Sequence, residues 1–354
     1  MSMEEIVGKS ISEWMKGTGP ESDVVISSRV RLARNLVDVP FPEVASAEHL
    51  AAVLEQVRRV VSDDHSLGDL EYVPLGGLDA LARGILVERH VISPQQADDV
   101  EHKAVVMRAD DAISVMVNEE DHLRIQAMFP GLDLKNAWQL CSSVDDVFER
   151  HLKYAFAEKL GYLTSCPTNV GTGMRASVMV HLPALSIANQ INRLVGAVSQ
   201  FGLAVRGLYG EGTQVLGNIY QLSNQVTLGH SEEEIIDHLA GVARQIIDQE
   251  RGARQRIMAG DRARLDDRVH RSLGVLREAR LLTTHEAMQL LSDVRLGIDT
   301  GLIGGLDAAI LQELMVLSRP AHLQKLMGRR LEAPERDACR AQLIRERIQR
   351  RSEG

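Results

Sequence analysis

Cys166-Pro-Thr-Asn-Val-Gly-Thr-Gly-Met-Arg175, running straight into Ala176-Ser-Val-Met-Val-His-Leu182, decides how the chain is read. Pro167 fixes the backbone and removes a donor. Gly171 and Gly173 let the chain bend tightly and let main-chain N–H groups approach a ligand. A Gly-rich turn between a helix and a strand accounts for them equally. Arg175 closes the loop with a guanidinium suited to phosphate oxygens. Residues 176–182 alternate and are β-branched, so they predict a strand, stopped by Pro183. Gly171, Gly173 and Ala176 also fit the G-x-G-x-x-[GA] pattern, but a dinucleotide motif must open a helix. This one opens a strand, which excludes a Rossmann reading. The pattern G-x-x-x-x-G-K-[ST] occurs nowhere, so the chain is not a P-loop protein.

The 354 residues suit two domains, and a 44% hydrophobic content fills a substantial core. Aromatics are only 3%, so aliphatic side chains and Met must do that filling. A formal net charge of −9 argues against a general nucleic-acid binder. Three cysteines, Cys141, Cys166 and Cys339, form no disulfide framework and no zinc spacing. The N-terminus lacks a signal-peptide pattern, and no run of eighteen apolar residues occurs. A cytoplasmic location is the expectation.

Residues 4–16 predict a short helix, and Val24–Arg31 a strand. Arg29 and Arg31 are two apart, so they share a strand face with Ser27, either as an oxyanion clamp or as a solvated surface. Ala47–Val61 keeps helical spacing, and Asp63–Leu70 is a polar loop. His90 sits at a helix junction. Ala104–Met107 and Ile113–Val117 flank Arg-Ala-Asp-Asp, a hairpin by its turn residues. The second strand delivers Asn118-Glu-Glu-Asp-His-Leu-Arg124, either a charged loop or a carboxylate placed for proton transfer with Arg124 facing an anion. Val144–Leu160 predicts a helix capped by Gly161, with Val147, Phe148, Leu152, Ala155 and Phe156 inward. Ser186–Gln200 predicts a helix closed by Gly202. Leu203–Leu208 predicts a strand carrying Arg206, and Asn218–Leu222 another. Gly210-Glu211-Gly212 is a flexible loop. Ser231 and Glu234 form a capping box before Ile235–Glu250. After residue 255 only helices are expected, near 262–280, 284–296 and 305–318, followed by the arginine-rich segment Glu335–Arg351. By charge pattern alone that segment is a solvated face.

The chain thus offers Arg29, Arg31, Arg124, Arg175 and Arg206, the carboxylates Glu120 and Glu211, and the Cys166 thiol. Many fixed cations without a P-loop suit a nucleoside triphosphate held by side chains, because phosphoryl transfer needs positioning and charge neutralisation. Four collinear blocks, Ser27–Arg31, Asn118–Arg124, Cys166–Gly173 and Arg206–Glu211, resemble the phosphagen (guanidino) kinases over roughly residues 20–255. The resemblance implies an α+β fold, with a curved, mostly antiparallel sheet flanked by helices, and ATP with Mg2+ held mainly by phosphates and water. It implies that the five arginines cage the phosphates and that His90 lies by the adenine. It places ATP against Ser27, Ser28, Arg29, Val30 and Arg31, against Arg175, Ala176, Ser177, Val178 and Met179, and against Arg206, Gly207, Leu208, Tyr209, Gly210 and Glu211. Glu120 and Glu211 would hold the acceptor guanidinium with Cys166 beside it. Glu120 is taken as the base and Glu211 as the orienting partner, roles that the sequence leaves interchangeable.

The departures point further. The Ser27–Arg31 strand begins near residue 24, which leaves no room for the helical domain that phosphagen kinases carry before it. Tyr209 replaces a usual arginine and Met179 a usual histidine. An uncovered site fits a larger acceptor, and the whole chain closely resembles the bacterial protein arginine kinases. The match includes Arg336, Asp337, Ala338, Cys339, Arg340 and Ala341, the family's Arg-Asp-x-x-Arg-Ala motif. That resemblance implies a catalytic domain over 1–255 and a helical domain over 256–354 whose motif forms a phosphoarginine pocket. It also implies homodimers, an activator protein, and links to Clp proteases and a heat-shock repressor. A kinase for free arginine and a catalytically dead phosphoarginine reader are the alternatives.

Overall fold

The computed structural model describes residues 12–207 and 215–350. Parts of the expected 4–16 helix, residues 208–211 of the expected site and Arg351 lie outside that range. Within it, only Glu13–Met15 forms a turn of 3-10 helix near the N-terminus.

The sheet grows around β1 (Val25–Arg34). Its neighbours are β5 (Leu123–Pro130) and β8 (Met174–His181), and the hairpin β3 (Ala104–Arg108) and β4 (Ile113–Val117) forms as its turn residues predict. The edges are β2 (Leu70–Pro74) and β9 (Leu203–Gly207), the latter reached through β10 (Ile219–Asn224). The order is β2-β3-β4-β5-β1-β8-β10-β9, with every pairing antiparallel. β2 falls where a loop and unassigned residues were expected. It is short and ends in Pro74, which an edge strand tolerates.

Period-two alternation gives the sheet two different faces. Val30 and Leu32 of β1, Ile125 and Ala127 of β5, and Ala176 and Val178 of β8 turn to one side. There they form the main core with three helices: α1 (Ala47–Asp63), α4 (Leu134–His151) and α7 (Glu232–Gly260). Ser231 and Glu234 cap α7 reciprocally, as the box predicts. On the other face Arg29 pairs with Ser177, and Arg31 with Arg175 and Gln126.

Two smaller cores cover the rest of that second face. One packs Val105, Met107 and Met116 against α2 (Ala80–Glu88), with α3 (Pro94–Asp98) nearby. The other packs Ile26, Met128, Met179 and Ile219, together with Trp14, against the C-terminal helices. These are α8 (Arg262–Glu278), α9 (Thr284–Asp299), α10 (Ala308–Leu317), α11 (Pro320–Leu326) and α12 (Ala333–Arg350). This core joins residues on both sides of the expected boundary at 255, and α7 runs across it. Among the described residues no helix is long and apolar enough to cross a membrane.

Two helix expectations are corrected. The helix expected over 144–160 is α4, which begins at Leu134 because Leu134, Ala137 and Cys141 already carry the buried spacing. It ends at His151, and Leu152 is extended. Phe156 points outward, 58% exposed, in a small hairpin of β6 (Phe156–Ala157) and β7 (Gly161–Tyr162). Gly161 therefore serves the hairpin, not a helix cap. The helix expected over 186–200 is split into α5 (Pro183–Ile187) and α6 (Ile191–Ser199) by Asn189, at φ +54°.

The loop glycines have a steric cause. Gly171 adopts φ +114°, and a Cβ there would lie 2.5 Å from the Thr227 carbonyl oxygen. Gly173, at φ +64°, would put one 2.6 Å from that of Ala33, whose own N–H bonds the Gly173 carbonyl at 2.9 Å. Close approach of main chain to main chain thus requires both glycines. Gly171→Ala is expected to cost about 2–3 kcal/mol, measured by urea unfolding. A variant as stable as the parent would contradict that account.

Candidate active site

β1 brings Arg29 and Arg31 to the middle of the sheet, β8 supplies Arg175 and β5 supplies Arg124. Arg206, on β9, pairs with Gln221 of β10. All five arginines line one cavity of about 880 Å³. Arg29 donates from Nη2 to Gln221 Oε1 at 2.9 Å and from Nε to Ser177 Oγ at 3.4 Å. Arg31 Nε is buried without a hydrogen-bond partner.

The electrostatics of this cluster are strained. Burial, then repulsion from Arg124 and Arg175, lowers Arg29 to about 10. Burial, then Arg29, Arg124 and Arg175, pushes Arg31 well below its ordinary value. Arg175 is lowered by burial, then by Arg206 and Arg124. Like charges gathered out of water raise the free energy of the cluster, and a polyanion relieves it.

The acidic loop between β4 and β5 meets this cluster. Glu119 accepts from Arg124 Nη1 at 2.5 Å. Burial pushes its carboxyl up, but Arg124, a hydrogen bond from Ser93 and the Glu120 N–H together hold it below the usual range. Glu120 lines the same cavity and goes the other way. Burial raises its carboxyl, and the charges of Asp121 and Glu119 add to that against Arg124 and Arg31. Two adjacent carboxyls are thereby driven apart: one is a fixed counter-ion and the other has a raised proton affinity, as a general base requires.

Asp121 fixes this loop. Its Oδ1 accepts from Asn35 Nδ2 at 2.6 Å and from the Ser165 N–H at 2.7 Å. His122 accepts the Leu36 N–H at Nδ1, so Nε2 carries the proton and donates to the Pro40 carbonyl at 3.1 Å. Asp121 therefore holds the residue before Cys166 beside Glu120. The half-buried Cys166 thiol lies 2.9 Å from Thr168 Oγ1.

The cavity gathers Arg29, Arg31, His90, Glu120, Arg124, Arg175, Arg206 and Gly207 of the expected site. His90 is half-buried and stands edge-on against Trp14, with ring centroids 5.2 Å apart. Burial and the charges of Arg319, Arg29 and Arg31 drive its pKa well down, so the ring is neutral. Other expected residues do not line the cavity. Val30, Ala176 and Val178 face the main core, and Met179 belongs to the second core. Ser27 is buried, Ser28 bonds the Gly131 carbonyl and the Asp133 N–H, and Ser177 meets the cavity only through Arg29. Leu208, Tyr209, Gly210 and Glu211 lie outside the described residues. Glu119 and Gln221 line the cavity without having been singled out. The Asn118–Arg124 acids and the β10 alternation carried that signal.

The motif Arg336–Ala341 lies on α12, away from the cavity lining. Arg340 is buried. It donates to the Ser318 carbonyl at 2.8 Å, the Leu282 carbonyl at 2.6 Å and Asp337 Oδ1 at 2.6 Å. Arg336 donates to the Leu331 carbonyl at 2.8 Å, and Ala341 is core. Ala338 and Cys339 are half-buried between them.

Against this geometry, the family profile "ATP:guanido phosphotransferase, C-terminal catalytic domain" matches residues 52–253. The profile "Protein-arginine kinase McsB C-terminal domain" matches residues 262–354. A protein-arginine kinase of Pelotomaculum thermopropionicum is 52% identical over 348 residues, 98% of both chains. One of Halothermothrix orenii is 50% identical, over 98% of this chain and 99% of its own. Among solved structures, a lombricine kinase superposes with a TM-score of 0.56 at 24% identity, covering 69% of this chain and 70% of its own. The duplicated taurocyamine kinase of Schistosoma mansoni gives 0.59 at 24% identity, over 76% and 39%.

Proposed function

The chain belongs to the protein-arginine kinase branch of the ATP:guanido phosphotransferases, and from that premise we propose that it moves the γ-phosphoryl group of ATP onto arginine side chains of proteins. One observation carries the reading: five guanidinium groups crowd a cavity at whose edge Glu120 has a raised proton affinity. Among the described residues no group of three or more His, Cys, Asp or Glu could hold a metal. Phosphates and water ligate magnesium readily, so the ion enters with the substrate as MgATP.

The arginines neutralise the phosphate oxygens and align the γ-phosphorus. An acceptor guanidinium is protonated at any physiological pH, so its nitrogen has no free lone pair. Glu120 takes a proton from that nitrogen. The nitrogen forms a bond to the γ-phosphorus as the bond from phosphorus to the β,γ-bridging oxygen breaks. ADP leaves with that electron pair. Glu211 is assigned to orient the second nitrogen, and Cys166 to border the acceptor.

The finer parts of the proposal rest on the family resemblance. They are a catalytic domain over 1–255 and a helical domain over 256–354, a cytoplasmic homodimer, and an activator protein. They also include marking of substrates for Clp proteases and control of a heat-shock repressor. A phosphoarginine pocket at Arg336–Ala341 would use Arg336 or displace Asp337 from Arg340. Incubation with MgATP and an arginine-rich protein is expected to give acid-labile phosphate on arginine. Label on serine or tyrosine alone would refute the reading, and faster turnover of free arginine than of protein would favour a small-guanidine kinase.

A further inference from the structure

α2 ends beside the cavity, and α11 crosses it from the C-terminal layer. The two helices approach closely at Gly84, where a Cβ would lie 3.1 Å from that of Ala321. One turn on, the Glu88 carboxylate reaches into the first turn of α11. It accepts the Ala321 N–H at 2.8 Å, the His322 N–H at 2.9 Å and His322 Nδ1 at 2.6 Å. Both side chains are mostly buried, Glu88 at 13% exposure and His322 at 4%.

The residues after Glu88 build the cavity wall. Arg89 pairs with Asp111 at 2.5 Å, and its carbonyl accepts Trp14 Nε1 at 3.2 Å. His90 takes φ +61°, its carbonyl accepts Gln126 Nε2 at 2.7 Å, and its ring lines the cavity. Arg319, immediately before α11, is buried within charge range of both Glu88 and His90. Glu88 is thus both the mechanical tie and a counter-charge where the helical layer meets the arginine cluster.

We propose that Glu88 is a positioning residue for the nucleotide end of the cavity, clamping α2 to α11 so that His90 stands correctly against Arg29 and Arg31. The inference rests on the kinase reading above. Glu88 touches no reacting atom, so it governs how well ATP is held more than how fast it reacts. Without its carboxylate, three donors in a buried crossing lose their acceptor and Arg319 loses its counter-ion beside His90.

The test measures MgATP binding by calorimetry without acceptor, and kcat and KM with an arginine-rich protein. Glu88→Ala is expected to raise the ATP Kd and KM about tenfold while kcat stays within about threefold. Glu88→Gln keeps an acceptor and is expected to recover part of the binding. A folded Glu88→Ala protein with unchanged ATP Kd, or one that loses kcat alone, would overturn the inference. If Glu88→Ala does not fold, His322→Ala keeps both main-chain bonds and is expected to show a smaller rise, and an unchanged Kd there overturns it too. Wild-type protein that fails to bind ATP would overturn the kinase reading itself, which separates the two failures.

Discussion

Glu120→Gln is expected to lower kcat by about 10²–10⁴-fold while leaving the ATP KM within about threefold. Glutamine keeps the size and a carbonyl acceptor but cannot take a proton. In the proposed reading the phosphates meet the arginines, and Glu119, not Glu120, pairs with Arg124. The loss therefore falls on the chemical step. The same residue predicts a pH signature. Its carboxyl is raised above the ordinary 4.5 by burial, with Asp121 and Glu119 adding to it. Only the carboxylate can act as base, so activity is lost as pH falls through that raised value. The acid limb of the kcat profile should lie above that of an exposed glutamate, and it should vanish from the residual activity of Glu120→Gln. Equal rates for the two proteins would remove Glu120 from the chemistry and leave Glu211 as the base.

Much of this site was legible because strand alternation is local. Arg29 and Arg31 share a face whatever they pair with, and the hairpin turn before β4 announces itself in Arg-Ala-Asp-Asp. The register that sets Arg31 opposite Arg175 and Arg206 opposite Gln221 joins residues far apart in the chain. No spacing rule reports it. The sequence offered these arginines as a set of strand-end cations, and the family resemblance gave them a common cage before the sheet did.

The misreadings have physical causes. Leu152 and Ala155 are buried but lie beyond the helix, so apolar residues at helical spacing carried the expected helix past its true end. Gly171 and Gly173 resemble a ligand loop because tight backbone packing and anion cradles both need a missing Cβ. Glu119 and Glu120 are chemically identical in the sequence. Burial raises both, and their opposite outcomes come from the pair with Arg124 and the hydrogen bonds from Ser93 and the Glu120 N–H that Glu119 alone receives, which only the folded loop supplies. Arg340 looked like a surface charge, yet its chain neighbours say nothing of the Ser318 and Leu282 carbonyls it reaches.

Arg254→Ala is expected to destabilise the fold by about 3–5 kcal/mol, because it strands buried carboxylates. Arg254, on α7, donates to Glu250 at 3.0 Å and to the Asp23 carbonyl at 3.0 Å, and lies 3.5 Å from Asp299 of α9. Arg295 shares Asp299 at 3.0 Å and donates to the Ser22 carbonyl at 2.6 Å. The network thus ties the segment leading into β1 to the helical layer. Glu250 is fully buried and already raised by burial, with Arg254 the largest opposing influence. Its two main-chain donors, Ala184 and Leu185, survive the substitution, but the cation paired with it does not. The Glu250 pKa therefore climbs further in the folded variant. A carboxyl raised on folding loses stability as pH rises from its unfolded to its folded value. The deficit should be full at alkaline pH and shrink as the pH falls through the raised Glu250 value, below which Glu250 folds protonated. Combining Arg254→Met with Glu250→Gln removes charge from both partners and should recover about half the loss. Urea unfolding of the parent and the two variants, at alkaline and at mildly acidic pH, decides the matter. A deficit independent of pH and unrelieved by the double substitution would mean that Arg254 acts through packing alone.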